Sequence, residues 1–326
     1  MKRLVFTLKP ETAFATALHG DTLFGQCCWA IRHLFGEDKL TKLLKGYTDK
    51  QPFMVVADPL PQGFIARPTL PAELLGFDTS DTKKRKAQKG RKWLPVSVLT
   101  QPLKQWADSA KTETDMMKQF VSKENNKKAR YLITDEPQDH NSLNRLTGTT
   151  GKGEGFAPFQ RQTFYYHPDI KLSLIVELDE NRFSIEQLLQ VLTWIGLTGY
   201  GKEASCGLGK FTVQLDNAVC PELIEGHSKA NAYLTLAACA PQGLNWKAEY
   251  CYYSIFTRFG RHGDMAVHSG SPFKNPVLLA APYAVLTPDT EFNRHFTGNG
   301  LTGVSKTIEQ TVQQGYAPVL PIHLEI

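Results

Sequence analysis

From Gly196 to Phe211 the chain reads Gly-Leu-Thr-Gly-Tyr-Gly-Lys-Glu-Ala-Ser-Cys-Gly-Leu-Gly-Lys-Phe, a pattern suited to holding an anion. Five glycines (Gly196, Gly199, Gly201, Gly207 and Gly209) are interleaved with Lys202, Ser205 and Lys210. Glycine admits positive φ and close approach of a second backbone. A turn of free amides forms a concavity for a phosphate, and nearby lysines add charge. The spacing is neither the GxGxxG that opens a helix after a strand nor the GxxxxGK[ST] phosphate loop. Ordinary helix-to-strand loop geometry would use the same glycines, so both readings stand.

A second candidate is the pair His19 and Asp21. An imidazole here could take a proton from a ribose 2′-hydroxyl while Lys202 stabilises a charged phosphorane. That is the alternative reading, a metal-independent endoribonuclease with His19 as its catalytic residue. The competing reading, which we take, is that Asp21 caps a helix and His19 shapes the turn before it. His262-Gly-Asp264 and His268 follow Arg258 and Arg261, but a His/Asp pair without a third ligand is a weak metal signal. They read as a partner-facing or solvated loop. No GxSxG, HExxH or Cys/His nucleophile pattern is present. The six cysteines (Cys27, Cys28, Cys206, Cys220, Cys239, Cys251) lack CxxC spacing and read as reduced thiols of a cytoplasmic protein. No metal and no cofactor is expected.

These residues must be positioned by the elements around them. Lys2–Leu8 alternates as a strand, with Leu4, Phe6 and Leu8 on one face; it reads as a first strand rather than a signal peptide. Asp21 to about Phe35 carries Leu23, Phe24, Cys27, Cys28, Ile31, Leu34 and Phe35 at helical spacing, ended by Gly36. A short helix at about 38–45 and a strand at 52–57 follow. The proline-spotted, basic stretch from 59 shows no clear period and reads as an inserted surface region extending to about 130. After a short strand at 131–134 comes a glycine-rich extended arm, about 141–161, then strands at 161–166 and 171–178. Ser184 is the expected N-cap of a helix carrying Ile185, Leu188, Leu189, Leu192 and Ile195. The opening glycine segment then leads into a strand that ends near Leu215. A linker at 216–229 precedes a strand-rich part with strands expected at 232–239, 249–259, 277–286 and 317–324. In that part Gly298-Asn-Gly300 reads as a turn and Lys306–Gln313 as a short helix. The order predicts an α+β protein of two split-βαβ, ferredoxin-like units, 1–216 and 231–326.

An apolar fraction of 41% places the chain among packed globular proteins. No run approaches the ~18 apolar residues of a membrane span. The net charge is only +5, yet residues 83–92 alone carry seven positive charges, and Lys123, Lys127, Lys128 and Arg130 add a second cluster. Beside Trp93 such density suits a phosphate backbone as well as a solvated loop.

Four segments in register carry a resemblance: His19-Gly-Asp-Thr-Leu-Phe-Gly25, Asn144-Arg-Leu-Thr-Gly-Thr-Thr150, Gly201–Phe211 and Gly315-Tyr-Ala-Pro-Val-Leu-Pro321. Together they resemble the RAMP superfamily of CRISPR-associated RNA-binding proteins. Within it they are most similar to the fourth Csm subunits of type III-A effector complexes, which cap the guide RNA's 5′ handle. The resemblance implies a non-catalytic subunit that binds the crRNA 5′ handle. The implied neighbours are the large polymerase-like subunit and the backbone RAMP subunit, with no membrane. It implies a thumb around Asn144, Arg145, Thr147 and Gly148, and a loop at Gly201, Lys202, Ser205, Gly207, Gly209 and Lys210 set against RNA phosphates. Such contacts would fix register on a backbone without reading bases. His19 and Arg161 belong to the same expected surface, and Phe156 or Phe159 would stack on splayed bases. The family's HSDTLFG motif has glycine here at its second position, Gly20, so a hydroxyl's hydrogen bond is lost there.

Overall fold

The computed structural model describes residues 1–121, 131–151, 155–218, 220, 222–225, 227, 229–268, 270–289 and 295–325. The lysine cluster expected at 123–130 lies outside them. In strand β1 (Lys2–Pro10) Leu4, Phe6 and Leu8 enter one apolar core while Val5 enters another, so the alternation serves two buried faces. Helix α1 (Gly20–Phe35) and α2 (Glu37–Leu44) follow, then β2 (Met54–Val56) and the short β3 (Leu60–Pro61). An excursion carries β4 (Phe64–Ala66), α3 (Thr82–Lys89), β5 (Arg91–Pro95), α4 (Trp106–Ser109), β6 (Lys111–Thr112) and α5 (Glu113–Met117). The chain returns through β7 (Ile133–His140), β8 (Phe159–Tyr166), β9 (Leu172–Leu178), α6 (Ile185–Thr198), β10 (Phe211–Leu215) and the single turn α7 (Glu222–Glu225).

The first sheet runs β10-β1-β9-β2, antiparallel throughout, with β3 added on β9. Counted along the chain this is the order 4-1-3-2 of a β-α-β-β-α-β unit, with α1 and α6 as its helices. Ser184 begins α6 with a full capping box, its hydroxyl accepting from the Gln187 amide while Gln187 returns a bond to the Ser184 amide. Leu23, Phe24, Cys27 and Ile31 of α1 pack with Leu188, Val191, Leu192 and Ile195 of α6 against one face of the sheet. Burying each such side chain stabilises by about 1.5–3 kcal/mol.

The later strands are β11 (Ala232–Thr235), β12 (Ile255–Arg258), β13 (Val277–Ala280), β14 (Val285–Leu286), β15 (Phe296–Leu301) and β16 (Gln313–Ile322). The second sheet is ordered β14-β11-β16-β15, and β12 and β13 form a separate ribbon. Counted within the sheet that order is 2-1-4-3, which differs from the ferredoxin-like order expected there. The expected helix 306–313 is turn and coil, and leads directly into β16. Gly298-Asn-Gly300, expected as a turn, lies inside β15, where pairing with β16 overrides the local preference.

A second apolar cluster joins both sides of the expected linker. Val5, Ala57 and Ile175 from the first sheet meet Leu234, Val285 and Leu320 from the second, with Leu223 of α7 buried between. The inserted region also contributes here: Ile65, Leu75, Leu94, Leu99, Leu103 and Trp106 are buried in this cluster. It is a packed layer rather than surface decoration, with its densest positive charge on the exposed α3 and the start of β5. Polar groups lock the layers together. Arg3 pairs with the fully buried Glu177 and donates to the carbonyls of Leu223 (3.1 Å) and Val319 (2.7 Å), while His295 reaches Glu177 from the other side at 2.8 Å. Gln314, also fully buried, accepts from the Val56 amide (2.9 Å) and donates to its carbonyl (2.7 Å), so a side chain stands in for a strand along β2.

Candidate nucleic-acid interface

Three segments far apart in sequence meet at one end of the first sheet. The loop after β1 runs along the glycine-rich loop after α6. Gly209 donates to the Ala13 carbonyl (2.7 Å), Lys210 to the Thr12 hydroxyl (2.9 Å) and Lys202 to the Thr16 hydroxyl (2.9 Å), while Glu11 donates to Lys210 (2.9 Å). Buried Tyr200 ties the same segments, accepting from the His19 amide (3.2 Å) and donating to the Ala17 carbonyl (2.8 Å). Its phenol is held well above its ordinary range, chiefly by burial. Gly209 shows why glycine is needed: its φ is +74°, and a Cβ would stand 2.1 Å from the Tyr200 carbonyl oxygen.

This packing changes the expected use of the loop. The amides of Gly199, Tyr200, Lys202, Cys206, Gly207, Leu208, Gly209 and Lys210 all donate within the chain. The concavity of successive free amides expected there is therefore confined to one short stretch of the loop. Among the described residues, the amides of Gly201, Glu203, Ala204 and Ser205 have no acceptor in the chain. Lys202 and Ser205 are exposed, and Lys210, Gly201 and Gly207 are half-buried, so this side of the loop meets solvent through side chains.

The expected arm is a β-ribbon longer than the sequence suggested. β7 and β8 pair from Ile133↔Tyr166 to His140↔Phe159, so the strands expected at 131–134 and 161–166 are its own two sides. At about 3.4 Å per residue it projects about 24 Å. Its base is fixed: Phe14 and Phe164 exchange backbone bonds (2.8 and 2.9 Å), and Phe14 packs edge-on to Tyr166 with centroids 5.4 Å apart. Arg161, placed on β8 opposite Gln138, pairs with Glu203 of the glycine-rich loop at 2.5 Å. Arg161 therefore ties ribbon to loop. At the far end Asn144, Arg145, Thr147 and Gly148 form a turn in which Gly148 donates to the Asn144 carbonyl (2.8 Å) and Leu146 to its side chain (2.9 Å). Leu146 is 97% exposed. Phe156 is half-buried, its carbonyl accepting from Gly151, while exposed Phe159 stacks on His140 with centroids 5.5 Å apart. The structure thus brings His19, Arg161 and the 201–210 loop together and sets Asn144–Gly148 and Phe156 at the distal end.

At α1 one expectation is revised. Asp21 does not cap the helix; both its oxygens take the Arg258 guanidinium at 2.6 Å, tying α1 to β12. The N-cap is His19, and the carboxylate serving that end is Asp58, which accepts from the Gly20 amide (2.7 Å) and meets His19 Nδ1 at 3.2 Å. A Cβ at Gly20 would lie 2.2 Å from the Val56 carbonyl oxygen, so the backbone leaves no room there for the serine of the related motif. The loop at 262–268, expected to be partner-facing or solvated, is exposed at Gly263, Asp264, Met265 and His268, while Asp264 meets His33 of α1 at 2.8 Å and buried His262 meets Ser305 at 2.8 Å. Among the described residues no group of three or more His, Cys, Asp or Glu is arranged to hold a metal ion, and no helix is long and apolar enough to cross a membrane. Sequence reasoning missed Asp58, Thr12, Thr16 and Glu203. Asp58 alone carried a signal, as the single carboxylate closing an apolar strand before Pro59.

No family model and no curated relative matches the sequence. Solved structures do. A chain of the Csm3–Csm4 subcomplex of the type III-A CRISPR–Cas interference complex is similar over 98% of this chain and 99% of its own, with TM-score 0.58 at 13% identity. A chain of the Csm1–Csm4 cassette in complex with pppApA is similar over 99% and 98%, with TM-score 0.56 at 11% identity. The same cassette with one ATP gives 99%, 100% and 0.54 at 11% identity. At such identities the likeness is one of fold, and it extends over the whole chain.

Proposed function

We propose that this chain is a non-catalytic RNA-binding subunit of a type III-A CRISPR effector complex. It would hold the 5′ repeat-derived handle of the crRNA, sit against the large polymerase-like subunit on one side and adjoin the backbone RAMP subunit on the other. The observation that carries the reading is the convergence of the 11–19 loop, the 201–210 loop and the base of a projecting ribbon. Lys202, Ser205 and Lys210 line the base, and Arg145 stands at the tip. An extended anion of several linked phosphates can engage both, whereas a single small ligand spans neither the length nor the openness of the surface. The full-length fold likeness to chains of Csm3–Csm4 and Csm1–Csm4 assemblies supports the same reading. Because most loop amides are satisfied internally, phosphate contact falls to the lysine side chains, Ser205 and the few free amides around Glu203. Arg161, engaged by Glu203, acts by positioning the ribbon.

The test is guide RNA retention by the assembled complex. Arg145→Ala and Lys202→Ala should each weaken retention and 5′-end protection; unchanged retention in both removes the assignment. One observation favours the endoribonuclease reading: Asp58 holds His19 by Nδ1, the way a carboxylate orients a general base. Incubating the purified chain with repeat RNA without metal decides it. Site-specific cleavage abolished by His19→Ala would make the chain an enzyme; its absence leaves Asp58 as the capping carboxylate of α1.

A further inference from the structure

The densest positive charge lies away from the arm. α3 carries Lys83, Lys84, Arg85, Lys86 and Lys89, all exposed, and β5 continues with Arg91 and Lys92. Among the described residues only Lys84 of this set forms an ion pair, with Asp78 at 2.6 Å, and Arg85 is spent on the Thr79 carbonyl at 2.7 Å. The helix is built to stay folded despite self-repulsion. Asp81 caps its start by accepting from the Lys83 amide, and Arg67 donates to the Gln88 carbonyl near its end.

Lys92 then enters a cleft of about 660 Å³ whose walls include Arg67, Thr69, Leu70, Tyr252 and Tyr253. The walls are rigid. Thr69 donates to Tyr283 (2.8 Å), Arg67 to Lys92 (2.8 Å), and Tyr252 and Val285 exchange bonds at 2.8 and 2.9 Å. Tyr252 and Leu70 pack onto the apolar cluster between the sheets, whereas Tyr253 is 52% exposed and, among the described residues, partnered by no other ring. An open aromatic face beside a cation is a stacking platform for an unpaired base. A row of lysines leading away from it suits the phosphates that follow. An acidic protein segment would use the lysines but leave the cleft and Tyr253 without a role. The arm's base packs in the core on the helix side of the first sheet, whereas Tyr252 and Leu70 of the cleft pack in the cluster on its other face, so the two surfaces rest on different cores.

We infer that the cleft and α3 form a second binding site for single-stranded RNA, with a base on Tyr253 and phosphates along Lys92, Lys89 and Lys86. This goes beyond the handle reading and needs neither the arm nor the glycine-rich loop. The probe is fluorescein-labelled decauridylate, and its 4-thiouridine form for cross-linking, with the full-length chain carrying Arg145→Ala and Lys202→Ala to weaken the first surface. Cross-links are expected in the peptide containing Tyr252 and Tyr253. Tyr253→Ala should weaken binding about tenfold, within the range for loss of one stacked base, and Tyr253→Phe should retain it. Lys86→Ala with Lys89→Ala and Lys92→Ala should lower the slope of log affinity against log salt by about 2, at about 0.7 per phosphate contact. All these side chains are exposed, so the fold should survive, checked by an unchanged melting temperature. The inference is overturned by absence of decauridylate binding in this background or by wild-type affinity in Tyr253→Ala. It is equally overturned by cross-links confined to the arm and the 201–210 loop, or by polyglutamate binding more tightly than RNA at equal salt. None of these outcomes bears on retention of the handle by Arg145 and Lys202 in the assembled complex.

Discussion

The two ends of the β7–β8 ribbon are built on opposite plans. At the base, Phe14, Phe164, Tyr166 and Tyr200 pack around shared backbone bonds and the Arg161–Glu203 pair, so position is fixed by contacts about 40 to 190 residues apart in sequence. At the tip, Asn144 and Gly148 close a turn on their own local bonds, and Leu146 projects into solvent. The difference teaches a division of labour. In the proposed function the base would set where the RNA backbone lies, and the tip would supply reach at little expense in stability.

Damage to the base should therefore unfold what damage to the tip leaves intact. The largest effect is expected for Phe14→Ala, which removes a fully buried ring. A loss of about 3–5 kcal/mol in urea unfolding is expected, and a loss below 1 would refute a rigid base. High pH should also weaken the base. Burial raises the Tyr166 and Tyr200 phenols above their ordinary value of 10, so between that value and the folded ones the unfolded chain releases protons the folded chain keeps. The linked stability is fully present below pH 10 and falls as pH rises above it. Unfolding free energy measured from pH 9 to 11 should decline, and a flat profile would contradict the burial. Lys202→Ala should leave stability unchanged but lower the salt slope of handle-RNA affinity by about 0.7, the signature of one lost phosphate contact. Exposed Cys206 in the glycine-rich loop should react with a thiol reagent before buried Cys239, whose thiol burial pushes up to about 12, and handle RNA should slow it. Unchanged labelling with RNA bound would move the ligand off this loop. The smallest effect is Leu146→Ala, expected within about 0.5 kcal/mol of the parent in the same urea measurement.

Local signals in the sequence proved reliable where the structure answers them locally. Ser184 and Gln187 announce their capping box three residues apart, and the apolar spacing of α1 places its buried face. The position of the glycine-rich loop between α6 and β10 was legible for the same reason. The use of its amides was not, because their acceptors Thr12, Ala13 and Thr16 sit across the fold and nothing near residue 200 encodes them. Asp21 misled for a related cause: an acid in the first turn looks like a cap until Arg258, 237 residues away, claims it. The inserted region hid its core because its buried residues come from short strands and 3₁₀ turns without a sustained period. The ribbon was read too short, since its outer strands are polar and exposed on most positions and lack the alternation that marks a half-buried strand.

The Gln314 clamp on Val56 and the Arg3 bond to Val319 have a consequence for biosynthesis. Both join residues more than 250 positions apart, so the first sheet leaves the ribosome long before the strand that seals its second face. At about 5–20 residues per second the roughly 100 residues from β10 to β16 take on the order of 5–20 seconds, during which Val5, Ala57 and Ile175 lack Leu320 of β16. A nascent chain in that interval offers chaperones an apolar sheet face with the Arg3–Glu177 pair already set in it. Late closure of this kind makes production of the chain sensitive to translation speed near its final strand, independently of how stable the finished fold becomes.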